Sequence, residues 1–221
     1  RPLKFIVPSG NMGDALAGYV AARCGLLNGF EAVCAVNENE TLKTLFERGR
    51  MVRTPAIATP SPAMDISVPS NFERIAFEVS GRDPEAIRQI YAGFAQSGDV
   101  ELPEKIRGPL SCSGLSAQSV SNSTTLDEMR KLLQETGWLI CPHTAVGTQV
   151  ARQISGDSDA TIVVLSTAHA AKFPETVLEA TGADAPLPTR VANVSDRPEV
   201  FDRLSSDPTV VRDYIRQRQR D

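Results

Sequence analysis

The chain alternates short apolar runs with amphipathic stretches. Phe5, Ile6 and Val7 read as a buried strand stopped by Pro8 and Ser9, and Ala15, Leu16, Tyr19, Val20 and Ala22 follow at helical spacing. The turn between them, Gly10-Asn11-Met12-Gly13, therefore joins a strand to a helix. "FEAVCAV" (30 to 36) predicts a second buried strand, and "ETLKTLFERG" (40 to 49) a helix closed by Gly49. Residues 52 to 71, rich in Pro, Ser and Thr, predict irregular chain. "NFERIAFEVSG" (71 to 81) predicts a helix capped by Asn71 and ended by Gly81. "DPEAIRQIYAGFAQSG" predicts another, with Asp83 at its N-cap and Pro84 at its first position. Residues 99 to 122 predict loops with one short strand. "TLDEMRKLLQETG" (125 to 137) is amphipathic with Thr125 and Glu128 in capping-box register, and "CPHTAVGTQVARQI" (141 to 154) predicts a loop entering a helix. "ATIVVLSTAH" (160 to 169) has the strongest buried-strand pattern and ends on small polar residues.

Apolar strands separated by helices indicate an α/β layered fold with a largely parallel sheet flanked by helices. Ligands of such sheets collect beyond the C-terminal ends of the strands. Ser9 to Gly13 and Ser166 to His169 both fall at such ends, which makes them candidates for one pocket. No repeat or low-complexity segment interrupts the pattern.

Composition narrows the partners. The 221 residues are 41% apolar with a formal net charge of −4, enough for a core but without a broad basic surface for nucleic acid. Cys24, Cys34, Cys112 and Cys141 are far apart and accompany only two histidines. That spacing gives neither a disulfide framework nor a zinc site, so reduced thiols, a cytoplasmic setting and no metal are expected. No apolar run approaches the roughly 18 residues of a membrane span, and no leader pattern is present, so a soluble chain is expected. The sequence starts at Arg1 without Met and enters a core strand within about five residues, which predicts a fragment of a longer chain.

A strand-to-helix turn leaves backbone N–H groups unpaired at the positive end of the helix dipole, and Gly10 and Gly13 let an anion approach the main chain. Asn11 adds a side-chain amide there. A phosphate is the expected guest, although such turns also occur as plain chain reversals. The spacing matches neither the G-x-G-x-x-G dinucleotide pattern nor a P-loop. "STAH" places Thr167 and His169 at a strand end, where a capping role is the alternative. His143, which follows Pro142, reads as structural as readily as functional, and the two histidines supply no triad base. The tail "VVRDYIRQRQRD" (210 to 221) predicts a solvated helix whose arginines suit its C-terminal dipole.

Taken in order, "VPSGNMGDALAGYVA", "SPAMDISVPSNFER", "CPHTAVG" and "STAHAAKFP" resemble threonine synthases, specifically the C-terminal half of the longer form found in enterobacteria, proteobacteria and fungi. The resemblance implies a fold type II pyridoxal-phosphate enzyme, related to tryptophan synthase β. It also implies conversion of O-phospho-L-homoserine and water to L-threonine and phosphate, a carbon–oxygen lyase reaction of threonine biosynthesis. On this resemblance Ser9, Gly10, Asn11, Met12 and Gly13 hold the 5′-phosphate of pyridoxal phosphate, Asp14 shares that task, and Thr167 hydrogen-bonds the pyridine nitrogen. Asn71, Phe72, His143 and Thr144 line the pocket. Met12 stands where the family usually has an aromatic residue, and Ala170 where it usually has proline.

In the family, the lysine that carries the cofactor lies in an N-terminal segment preceding the residues matched here, and that segment also supplies substrate contacts. Lys4, Lys43, Lys105 and Lys131 read as solvated, Lys105 in a charged loop, and Lys172 belongs to the "AKF" segment. The resemblance therefore assigns no catalytic residue within this chain. It implies that residues 1 to 221 form the C-terminal, cofactor-binding part of a larger domain, inactive without the missing N-terminal half. The alternative, from another class, is a free-standing phosphate-ligand binding or regulatory module. A lysine-bearing family segment in frame upstream of the Arg1 codon distinguishes the first from the second. A nicotinamide dehydrogenase is disfavoured by the absent fingerprint.

Overall fold

The computed structural model describes residues 2 to 27, 29 to 157 and 159 to 219, which fall into two compact units, Arg1–Pro186 and Leu187–Asp221. In chain order the first unit contains β1 (Leu3–Pro8), α1 (Gly13–Arg23), β2 (Glu31–Val36), α2 (Thr41–Arg48), β3 (Arg50–Val52), α3 (Phe72–Val79) and α4 (Pro84–Ser97). These are followed by β4 (Asp99–Glu101), α5 (Glu104–Ser111), β5 (Leu115–Ser119), α6 (Asn122–Thr136), α7 (Pro142–Ile154), β6 (Thr161–Val164) and α8 (Pro174–Thr181).

Four strands form a parallel sheet in the order β5-β2-β1-β6, and β3 pairs antiparallel with β4. The central position of β1 explains its uniformly apolar centre, since Ile6 and Val7 are covered on both faces. One face packs under α1 to α5 through Val7, Leu16, Leu42, Phe72, Ile75 and Ile106. The other packs under α7 through Ile6, Val33, Ala35, Val146 and Val150. Helix α7 sits close because Gly147 has no side chain: a Cβ there would lie 3.0 Å from both Pro8 Cγ and Val164 Cγ1. A third cluster joins α6, α7 and α8 through Met129, Ala145 and Val177. The layered α/β fold with a parallel sheet is as the sequence predicts.

Several local expectations are overturned. The segment 99 to 122 holds α5, hidden in the sequence by Gly108 and Pro109, as well as β4 and β5. Lys105 accordingly lies on a helix, paired with Asp83 at 3.0 Å, rather than in a loop. Helix α6 starts earlier than its capping-box spacing predicts: Ser121 is the N-cap, accepting from Thr124 N–H, while Thr125 and Glu128 are buried in the helix body. The apolar run at 160 to 169 forms only four strand residues and lies at the sheet edge, with Val163 exposed. Asn71 occupies the N-cap position of α3 but makes no capping bond. Val20, placed on the apolar stripe of α1 by its spacing, is 46% exposed. Asp83 and Pro84 start α4 as predicted, with the Asp83 carboxylate accepting from Glu85 and Ala86 N–H.

The second unit contains α9 (Pro208–Arg218), capped by Asp207 and carrying Arg216 and Arg218 in its last turn. The solvated helix predicted there is present, although Arg220 and Asp221 lie outside the described residues. Asp202 accepts from Tyr214 Oη and from Arg218 Nη2, the latter at 2.5 Å. Among the described residues no helix is long and apolar enough to cross a membrane, and all four cysteines are free thiols.

Candidate functional site

The turn after β1 has an unusual backbone. Ser9 N–H donates to Ala35 O of β2 at 2.9 Å, and Leu16 N–H is the first in α1 to reach a helix carbonyl, that of Met12 at 2.8 Å. Among the described residues, the amides of Gly10 to Ala15 between them have no acceptor in the chain. They sit at the start of an 11-residue helix, where the dipole adds positive potential. Met12 is left-handed, with φ 61°, a conformation few non-glycine residues adopt, yet its side chain is 1% exposed. Burial of that side chain in the core under α1 to α5 holds the strained turn in place.

The two glycines have different reasons. A Cβ at Gly10 would meet Ala63 O at 3.0 Å and Met64 Cα at 3.1 Å, so Gly10 is required by the neighbouring chain. At Gly13 the nearest atom to such a Cβ is Asn71 Nδ2 at 3.9 Å, so the space above that amide is open to a ligand. Asn11 is held from its acceptor side. Its Oδ1 accepts from Ser70 N–H and Ser70 Oγ, both at 3.2 Å, and its carbonyl accepts from Asn71 Nδ2 at 2.9 Å. That leaves Asn11 Nδ2 as a donor without a protein acceptor among the described residues. Ser9 Oγ is buried without a well-formed hydrogen bond, beside the Cys34 thiol, which burial pushes up to about 12. An array of unoccupied donors with an open approach is the chemistry of an oxyanion or phosphate site.

The other sequence-predicted residues are placed as follows. Asp14 is exposed in the first turn of α1 and lines an apolar groove with Phe5, Ala17 and Val163; its amide, not its carboxylate, is suited to an anion. Thr167 is exposed beyond β6, the strand beside β1, so it and Ser9–Gly13 leave the sheet at the same end from adjacent strands. Asn71 is half-buried beside Asn11, whereas Phe72 is 0% exposed and belongs to the core. Thr144 is buried, with its N–H and Oγ1 on the Cys141 sulfur that caps α7. His169 is exposed and its Nδ1 accepts from Ala171 N–H at 3.1 Å, a capping role.

His143 is 4% exposed in the first turn of α7, tilted against the Phe173 ring at 4.7 Å. Its Nε2 accepts from Ala63 N–H at 3.1 Å, which puts the proton of the neutral ring on Nδ1, a buried donor without a partner among the described residues. Burial, followed by the nearby Lys172 ammonium, holds its pKa below the usual histidine range despite Asp65. The ring is thus neutral near pH 7 and has no nitrogen free to accept a proton. A groove of about 800 Å³ lined by Leu16, Val20, Phe77 and Ile87 contains none of these residues.

Sequence reasoning gave no role to the residues of 61 to 70 that shape the turn. Ser70 grips Asn11, and Ala63 bridges Gly10 and His143. The only signal for them was their membership of the "SPAMDISVPSNFER" stretch.

A family model described as threonine synthase, C-terminal, matches residues 144 to 215. The chain is 33% identical to a threonine synthase of Pseudomonas aeruginosa over 218 residues, covering 98% of this chain and 46% of that protein. It is 36% identical to a threonine synthase of Corynebacterium glutamicum over 224 residues, covering 97% of this chain and 46% of that protein. A crystal structure of threonine synthase from Brucella melitensis with pyridoxal phosphate bound superimposes with TM-score 0.84 at 38% identity, over 100% of this chain and 47% of that one. The yeast threonine synthase structure gives TM-score 0.80 at 27% identity, over 99% of this chain and 48% of that one. The chain thus spans about half the length of the relatives it matches, and it belongs to the threonine synthase family.

Proposed function

We propose that the protein containing this chain converts O-phospho-L-homoserine and water to L-threonine and phosphate with pyridoxal phosphate, and that residues 9 to 14 hold the cofactor's phosphate. The observation that carries this reading is the run of unpaired amides from Gly10 to Ala15 at the start of α1, with Asn11 Nδ2 added. A phosphate dianion accepts several such donors at once, and Gly13 leaves room for it.

Bound there, pyridoxal phosphate supplies an electron sink that acidifies the substrate's carbon centres. Ser9 to Gly13 bind and orient the phosphate, and the Asp14 amide joins them. Thr167 donates to or accepts from the pyridine nitrogen; as a neutral hydroxyl it does not hold that nitrogen protonated, as a carboxylate does. Asn71 faces the substrate side, with Phe72 anchoring it to the core. His143 and Thr144 form the buried start of α7 behind Ala63, and His143 acts as a hydrogen-bond donor through Nδ1 and not as a base. The cofactor-bearing lysine comes from outside residues 1 to 221, and those residues alone do not turn over.

The test is made on the complete gene product that contains these residues. Asn11→Asp sets a carboxylate against the phosphate and is expected to lower pyridoxal phosphate affinity by at least 100-fold and to abolish threonine formation from O-phosphohomoserine. Borohydride reduction of the cofactor-loaded protein, followed by peptide mapping, is expected to label one lysine outside this chain. Selective labelling of Lys172, or threonine formation by residues 1 to 221 alone, overturns the divided-site reading. Absence of cofactor binding in the unsubstituted protein overturns the function itself.

A further inference from the structure

The anion-binding turn does not set its own position. It is pressed from one side by Ala63 and Met64 at Gly10, and held by Ser70 and Asn71 at Asn11. All four lie between residues 63 and 71, in a segment that the Asp65 carboxylate helps tie to the residues following β2. Asp65 Oδ1 accepts from Asn37 Nδ2 at 2.7 Å, from Asn39 Nδ2 at 3.0 Å and from Thr59 Oγ1 at 2.6 Å, while Oδ2 accepts from Thr59 N–H at 2.9 Å. Asn37, 1% exposed, directly follows β2, and its Oδ1 accepts from Asn39 N–H and Nδ2. Asn37 Nδ2 also reaches Thr59 Oγ1 and Ser61 Oγ.

We propose that Asp65 is a positioning residue for the phosphate cradle: by tying the 59–71 segment to the end of β2, it fixes where that segment meets Gly10 and Asn11. Ser9 is referred to the same strand by its bond to Ala35 O. Both sides of the cradle therefore take their position from β2. The chemistry at Asp65 is specific, because every group facing its two oxygens is a donor and only a carboxylate accepts them all. An asparagine turns an N–H₂ toward one of those donors, leaving the loop free to shift against Gly10. The hydrogen bonds of Asp65 run to Asn37, Asn39 and Thr59 and not to the turn itself.

This inference rests on the reading of the turn as a phosphate cradle. In the complete gene product, Asp65→Asn is expected to weaken pyridoxal phosphate binding at least tenfold and to shift the ³¹P resonance of the bound cofactor. Affinity for pyridoxal, which lacks the phosphate, is expected to stay within twofold. The reciprocal pair Asn37→Asp with Asp65→Asn restores one carboxylate–amide contact but still sets an N–H₂ of residue 65 against a donor, and is expected to recover only part of the loss. Equal weakening for both aldehydes, or an unchanged phosphate signal and affinity, overturns the positioning role. If the unsubstituted protein binds the two aldehydes equally well, the cradle reading fails instead. Should Asp65→Asn not fold, Thr59→Val removes one donor from the carboxylate, and a loss of about threefold confined to pyridoxal phosphate supports the role. An equal or absent effect in Thr59→Val refutes it.

Discussion

Arg152 Nε donates to both carboxylate oxygens of Glu128, at 2.9 and 2.8 Å, and joins α7 to α6. The Glu128 side chain is 1% exposed, while that of Arg152 is 33% exposed and also reaches Glu135. Removing the cation strands a buried carboxylate. Arg152→Met is therefore expected to cost about 2 to 3 kcal/mol in urea unfolding, somewhat below a fully buried pair because the arginine is partly solvated. Lys131→Ala, which removes an exposed pairing to Glu135 at 4.0 Å, is expected to cost less than about 0.5 kcal/mol.

Two glycines with the same left-handed backbone respond differently to alanine. Gly114 has φ 78°, and a Cβ there would lie 1.9 Å from Phe30 O, the carbonyl beside the start of β2. Gly137 has φ 74° with nothing within 4 Å. Gly137→Ala is expected to cost about 1 kcal/mol from backbone strain alone. Gly114→Ala adds a backbone collision and is expected to cost at least about 3 kcal/mol, enough to appear as loss of soluble protein at 37 °C.

Acidification acts through His143. Its folded pKa is depressed by burial, whereas the unfolded chain titrates near 6.5. The unfolded state thus binds the proton first, and stability present above pH 6.5 is lost as pH falls toward the folded pKa. His143→Gln keeps an acceptor for Ala63 N–H but does not titrate. Denaturant unfolding between pH 7 and pH 5 is expected to show a smaller decline in this variant than in the unsubstituted chain.

The thiols divide by burial. Cys24 and Cys112 are exposed; Cys34 and Cys141 are buried, and Cys34 is held as the thiol with a pKa near 12. A thiol-disulfide reagent at pH 8 is expected to titrate two cysteines in the native chain and four in denaturant. Fast reaction of a third in the native state contradicts the packing of β2 or α7.

The central strands were legible because the centres of β1 and β2 are apolar, and α4 was legible because Asp83-Pro84 is both cap and first turn. What misled was local chemistry used for tertiary purposes. Thr125 and Glu128 have capping-box spacing, but Glu128 faces Arg152 from the next helix. Asn71 stands at a helix start, but its amide is turned to Asn11. Pro109 in α5 falls in a short helix whose buried Ile106 and Leu110 outweigh its breaking tendency. In the candidate site, the donor-rich turn could be read from its glycines and position between strand and helix. The left-handed conformation of Met12 and the contacts that Ala63, Ser70 and Asn71 make with the turn could not, because spacing along the chain carries no information about contacts made from about 60 residues away.

The hold of Ser70 and Asn71 on Asn11 bears on recombination between homologues. A graft of residues 5 to 14 from a relative brings the glycines and the helix start but sets them on a foreign saddle, with Gly10 and Asn11 meeting side chains and carbonyls selected alongside another turn. Crossovers that keep the two stretches from one parent preserve the cradle, and those that separate them break it even where each half is individually sound.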